Sequence, residues 1–182
     1  MKLIDEFLPS FDFREQHALS MRASAGVILD CVTWQRAQDD PIVRFAIRLR
    51  ELPSRLISRS LPRPFDFDDF LFLGRNGDRS VVFGLAGAFL GTGLWLARDS
   101  VYRGVKTNDR MDVCRLVTDF AVEAMPSAAM MLSTKTRVQR PTDDVRRRFA
   151  PYWYVIRPVS RLIRRRMLGR IREQAEGLAG AR

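Results

Sequence analysis

The chain has 182 residues, 46% hydrophobic and 29% charged, which is enough apolar side chain to bury a core and too much for a disordered polymer. That length fits one domain spanning residues 1–182 better than two. Two distant cysteines, Cys31 and Cys114, and a single histidine, His17, exclude a disulfide framework, a zinc-ligand spacing and any His-cluster metal site, while 31 Lys+Arg against 21 Asp+Glu give a net charge of +10 and invite a polyanionic partner.

The chain opens Met1-Lys2-Leu3-Ile4-Asp5-Glu6, with acidic residues where a signal peptide carries its apolar core, so a cytoplasmic protein is expected. From Phe11 to Met21 the pattern alternates. One face carries Phe11, Phe13, Glu15, His17, Leu19 and Met21, and polar residues dominate the other, which predicts a strand with one solvated side. Residues 24–33 predict a short helix with Ser24 as N-cap, and Asp40-Pro41 opens a second short helical segment, IVRFAIRLREL. Pro53, Pro62 and Pro64 break the chain into a loop. Phe65–Leu73 and Arg79–Leu90 then flank Gly74-Arg75-Asn76-Gly77-Asp78, which has the composition of a hairpin turn.

The run Ser80–Ala97 is 18 residues without a charge and reaches the length of a membrane span. Its four glycines each cost a helix about 1 kcal/mol, and Val81-Val82-Phe83 ahead of Gly91-Thr92-Gly93 reads as strand and turn. Two further alternating runs, Cys114–Met125 and Ala129–Gln139, are separated by Pro126-Ser127 and complete an antiparallel meander with one buried and one wet face. From Thr142 to about Leu178 the period becomes helical. Phe149, Tyr152, Trp153, Ile156, Val159, Ile163, Met167, Ile171 and Leu178 fall in one apolar stripe, with Arg147, Arg161, Arg165 and Arg172 opposite and Arg146, Arg148, Arg157, Arg164 and Arg166 on the flanks. Pro151 and Pro158 inside this pattern predict a kink or a split.

A strand, two short helices, antiparallel strands and one long C-terminal helix resemble the α+β helix-grip fold of the START-like, or SRPBCC, superfamily, in which a curved antiparallel sheet wraps the C-terminal helix. The carboxyl end is similar to an uncharacterised bacterial branch whose last strand reads S-T-x-T-R-V ahead of an R-R-R-F-x-x-Y-W-x-x-I-R-P-x-S-x-x-I-R-R helix. Here those positions are Ser133, Thr134, Thr136, Arg137 and Val138, then Arg146, Arg147, Arg148, Phe149, Tyr152, Trp153, Ile156, Arg157, Pro158, Ser160, Ile163, Arg164 and Arg165. Lys135 stands where that branch often has an acidic residue. The resemblance implies a fold enclosing an apolar cavity and brings no established reaction with it.

If the apolar side of the sheet faces the C-terminal helix, the cavity candidates are Glu15, His17, Leu19, Phe83, Leu85, Phe120, Val122, Leu132, Thr134 and Thr136, joined by Tyr152, Trp153 and Ile156 from the helix. A mostly apolar lining with a few polar groups suits a hydrophobic or amphipathic small molecule of lipid, polyketide or aromatic type. Glu15 and His17 either form a hydrogen-bonded rim or support acid–base work of a cyclase- or hydratase-like kind. There is no G-x-G-x-x-G opening a helix, no GKS or GKT and no G-x-S-x-G elbow, so a nucleotide cofactor and a serine triad have no support and no cofactor is expected.

The charge is not spread evenly. Residues 137–182 hold 13 arginines against Asp143, Asp144, Glu173 and Glu176, a net of +9, which leaves +1 for residues 1–136. Arg161, Arg165 and Arg172 are therefore the candidate anion-binding face, open to lipid head groups or another polyanion. With the aromatic residues on the apolar side, nucleic acid is not expected as a partner, and a buried stripe restricts any membrane contact to the periphery.

Overall fold

The computed structural model describes residues 2–34, 70–87, 114–139 and 143–181, with side chains at 2–34, 70–85, 115–139, 154 and 157–181. The segment expected to be helical after Asp40-Pro41, the proline-rich loop, residues 65–69 and the second part of the uncharged run lie outside the described residues. Five strands, β1 (Phe13–Met21), β2 (Leu71–Asn76), β3 (Ser80–Gly87), β4 (Cys114–Ala124) and β5 (Met130–Gln139), form one antiparallel sheet in the order β1-β5-β4-β3-β2. The last strand thus pairs with the first, from Phe13 opposite Val138 to Met21 opposite Met130. Among the described residues, three helices, α1 (Leu3–Phe7), α2 (Ala25–Trp34) and α3 (Asp143–Gly180), make the fold α+β.

The alternation predicted for β1, β4 and β5 is realised as rows across the inner face of the sheet. Leu19, Leu132 and Val122 are in register, as are His17, Thr134, Phe120 and Val81, and then Glu15, Thr136, Thr118 and Phe83. At one end of these rows, Met21, Leu132, Val122, Phe120 and Val81 pack with Ile28, Leu29, Cys31 and Val32 of α2 and with Met167, Leu168, Ile171 and Ala175 of α3. The buried stripe of α3 contains the expected Ile163, Met167 and Ile171, gains Leu168 and Ala175, and loses Leu178, which is exposed.

One local expectation holds and two change. The uncharged run contributes Ser80–Gly87 as strand, and among the described residues no helix is long and apolar enough to cross a membrane. The hairpin turn is shorter than its Gly- and Asn-rich sequence suggests. Gly74, Arg75 and Asn76 belong to β2, the turn is Gly77–Arg79, and Gly77 takes the left-handed φ of 50° that glycine accepts without steric cost. The second change is that α3 does not split at its prolines. Pro158 and Tyr154 are both exposed, so the Tyr154 carbonyl that loses its amide donor can turn to water.

An unpredicted element covers the opposite face of the sheet. The single turn of α1 places Ile4, with Leu8 just after it, against Val82 and Val117, and Leu3, Phe7, Leu71 and Leu73 close around them. Residues 116–120 of β4 are consequently all buried, so the wet face expected for this strand is dry at Val117 and Asp119 and stays exposed at Glu123. Arg137 fastens the arrangement. Its guanidinium bonds Asp5 at 2.7 Å and the Leu8 carbonyl at 2.8 Å, and lies over the Phe11 ring at 4.6 Å.

Candidate functional site

The inner face turns polar where the two threonines of β5 meet Thr118 of β4. Thr118 and Thr136 are cross-strand partners with hydroxyls 3.2 Å apart, and Thr134 is two residues along on the same face. Arg164 reaches down from α3 onto this group. Its Nη1 donates to Thr134 Oγ1 at 3.1 Å, and its Nη2 donates to Thr136 Oγ1 at 2.6 Å and Thr118 Oγ1 at 3.3 Å. The geometry is that of a planar fork spread over three acceptors, which a lysine could not reproduce. Thr134, Thr136 and Arg164, separate in the S-T-x-T-R-V and I-R-R stretches of the sequence, are therefore one structural unit.

Glu15 and His17 flank that unit on β1, opposite Thr136 and Thr134 respectively. His17 Nε2 lies 2.8 Å from Glu15 Oε1, and Glu15 is buried. In the neutral tautomer that donates Nε2–H to the Glu15 carboxylate, the imidazole keeps Nδ1 as an acceptor. Among the described residues Nδ1 has no hydrogen-bond partner. The pair is hydrogen-bonded and lies on the inner face of β1.

On the other side an aromatic series extends away from the threonines. Phe120 and Phe83 meet edge to face with centroids 5.9 Å apart, and Phe83 meets Phe72 in the same way at 5.9 Å. Phe72 is 52% exposed, so this wall runs out to solvent at the β2 edge. The inner face thus presents a cation, hydroxyls and an imidazole acceptor beside an open aromatic surface.

Not every cavity candidate belongs to this group. Leu132 and Val122 are core under α2 and α3, and Phe120 is shared between that core and the aromatic series. Leu85 is buried on the next row, opposite Leu116, and Leu19 packs at the core margin. The side chains of Tyr152, Trp153 and Ile156 lie outside the described residues. Arg161, Arg165 and Arg172 are exposed on α3, as their position opposite the stripe predicts. Sequence reasoning omitted Thr118, Phe72 and Arg164 from the site. Thr118 is in phase with Phe120, and Arg164 falls on the flank of the helical wheel, so both had a signal; Phe72 had none.

A second polar cluster lies on the outer face. Asp119 faces Lys135 across the β4–β5 ladder. Burial pushes the Asp119 carboxyl up to about 6, against the opposing pull of Lys135, Lys2 and Arg137. Contact with Lys2, together with burial, lowers Lys135 below the usual lysine range. Arg137 holds Asp5 below the usual carboxylate range. Among the described residues no group of His, Cys, Asp and Glu could hold a metal ion. No family model matches the chain, and no curated protein matches it.

Proposed function

We propose that this chain binds an amphipathic small molecule between the inner face of its sheet and α3, in the manner of a START-like helix-grip protein. The observation that carries the reading is the Arg164–Thr118–Thr134–Thr136 cluster beside Glu15 and His17, set against an aromatic wall. A few oriented polar groups in an apolar site fix the head of a ligand, and the wall takes its body. The cation and the His17 acceptor suit an acidic or hydroxylated head on an aliphatic or aromatic body.

The test is native mass spectrometry of protein isolated from its own cells, followed by thermal-shift titration with fatty acids, polyketides and aromatic acids. A retained small molecule and a saturable rise in Tm are expected. Arg164→Met should weaken binding of an acid at least about tenfold through loss of charge-assisted hydrogen bonds. Phe72→Ala, at an exposed position, should weaken it without unfolding the protein. No retained molecule and no shift with any class would sink the reading. The Glu15–His17 contact favours a second reading, in which His17 Nδ1 is a general base on the bound molecule. His17→Ala would then abolish turnover and leave the ligand-induced Tm shift in place.

A further inference from the structure

The outward side of α3 is left unused by both the core and the ligand site. Arg157, Arg161, Arg165 and Arg172 are exposed, and none makes a hydrogen bond or ion pair with a described residue. Arg157, Arg161 and Arg165 have no acidic residue within two turns of the helix, whereas Arg172 has Glu173 beside it and Glu176 one turn on. A row of like charges on one helix repels itself when nothing nearby compensates it, which points to an anion supplied from outside.

The spacing gives that anion a shape. At 100° per residue Tyr154, Arg161, Arg165 and Arg172 fall within a strip about 40° wide, flanked by Arg157 on one side and Leu162 on the other. At 1.5 Å per residue the strip is about 27 Å long. The buried residues Ile163, Met167 and Ile171 lie about 100–180° around the helix from the strip, and Leu168 and Ala175 are buried along its Arg157 edge, so the strip faces solvent beside the core rather than diametrically opposite it. Two large apolar residues sit among the arginines in the open, Tyr154 at 64% and Leu162 at 46% exposure. A convex ridge of guanidinium groups with an exposed leucine and tyrosine matches a flat boundary between anionic head groups and acyl chains. A nucleic acid would use the charges but leave Leu162 without a partner.

We propose that this face of α3 docks the protein on an anionic lipid surface, with arginines on the head-group phosphates and Tyr154 and Leu162 at the acyl boundary. The stripe of α3 stays buried under the sheet, so docking is peripheral and spans nothing. The proposal does not depend on the ligand site, which lies on the sheet side of the helix.

The experiment is co-sedimentation of the full chain with phosphatidylcholine vesicles, with and without phosphatidylglycerol. Binding is expected only with phosphatidylglycerol, and it should weaken steeply as salt rises from about 0.05 M to about 0.2 M. The triple variant Arg161→Glu, Arg165→Glu, Arg172→Glu should lose at least about a hundredfold in partitioning at an unchanged melting temperature, because all three side chains are exposed. Leu162→Ser should weaken binding and leave the salt dependence as it was. Equal sedimentation with neutral vesicles, wild-type binding by the triple variant, or a DNA duplex that strips the protein from anionic vesicles through these same arginines would overturn the proposal.

Discussion

Asp119 is 2% exposed on the outer face of the sheet, and its Oδ1 has no hydrogen-bond partner. Its charge is therefore favoured less in the folded protein than in the unfolded chain, and the carboxyl rises from 3.8 to about 6. The folded state binds the proton more tightly, so this residue adds stability at low pH that is lost as pH rises from about 4 to about 6. Above that window the cost levels off at about 3 kcal/mol, from 1.36 kcal/mol per unit. Asp119→Asn keeps the shape and removes the titration. Denaturant unfolding as a function of pH should show the variant more stable than wild type at pH 7, with the difference shrinking towards pH 4. A constant difference across that range would mean that Asp119 is solvated or paired in solution.

At the scale of elements, α1 matters more than its five residues suggest. Ile4 and Leu8 are fully buried against Val82 and Val117, which belong to the two strands β3 and β4 inside the sheet. Undocking α1 would expose the centre of the sheet, so Ile4→Ala should lower global stability by about 2–4 kcal/mol in equilibrium unfolding. An effect confined to faster proteolysis of the N-terminal residues would show α1 to be an independent flap. The sequence offers little sign of this helix, because one turn is too short to display a helical period and Leu3-Ile4-Asp5-Glu6 has no repeat. By contrast β1, β4, β5 and α3 are legible, since nine or more residues in register with a buried face print their period on the chain. The inner-face site was half legible for the same reason. Glu15, His17, Thr134 and Thr136 lie on a readable strand face, whereas Arg164 enters the site by the reach of a long side chain from a flank, which periodicity does not encode. The prolines of α3 do not split it, because Pro158 sits where solvent can satisfy the freed carbonyl.

Taken whole, the described protein is a sheet with α2 and α3 on one face and α1 on the other, so protection from solvent is greatest in the middle and falls towards both edges. β4 lies between β5 and β3, and its residues 116–120 are buried on both faces. Among the described residues β2 pairs on one side only, and it shifts register between Phe72 and Gly74 and is exposed at Phe72, Arg75 and Asn76. The other edge, β1, keeps exposed Arg14 and Gln16 on its outer side. Bulges and charged side chains are the usual devices by which an open sheet avoids adding a further strand. Local opening follows such differences in burial, and the most protected amides exchange only through global unfolding. Native-state hydrogen exchange should therefore find the slowest amides in β4 and in the stretch of β5 paired to it, near Leu132 and Thr134. The amides of β2 should exchange at least about a hundredfold faster. Because β5 is also the strand that joins the two ends of the chain through β1, slow exchange there is expected to track global stability across the Ile4→Ala and Asp119→Asn variants. Exchange in β2 should ignore both substitutions. If β2 and β4 slowed and quickened together, the sheet would open as one cooperative unit, and the covering of its centre by α1 and α3 would not set the order of its opening.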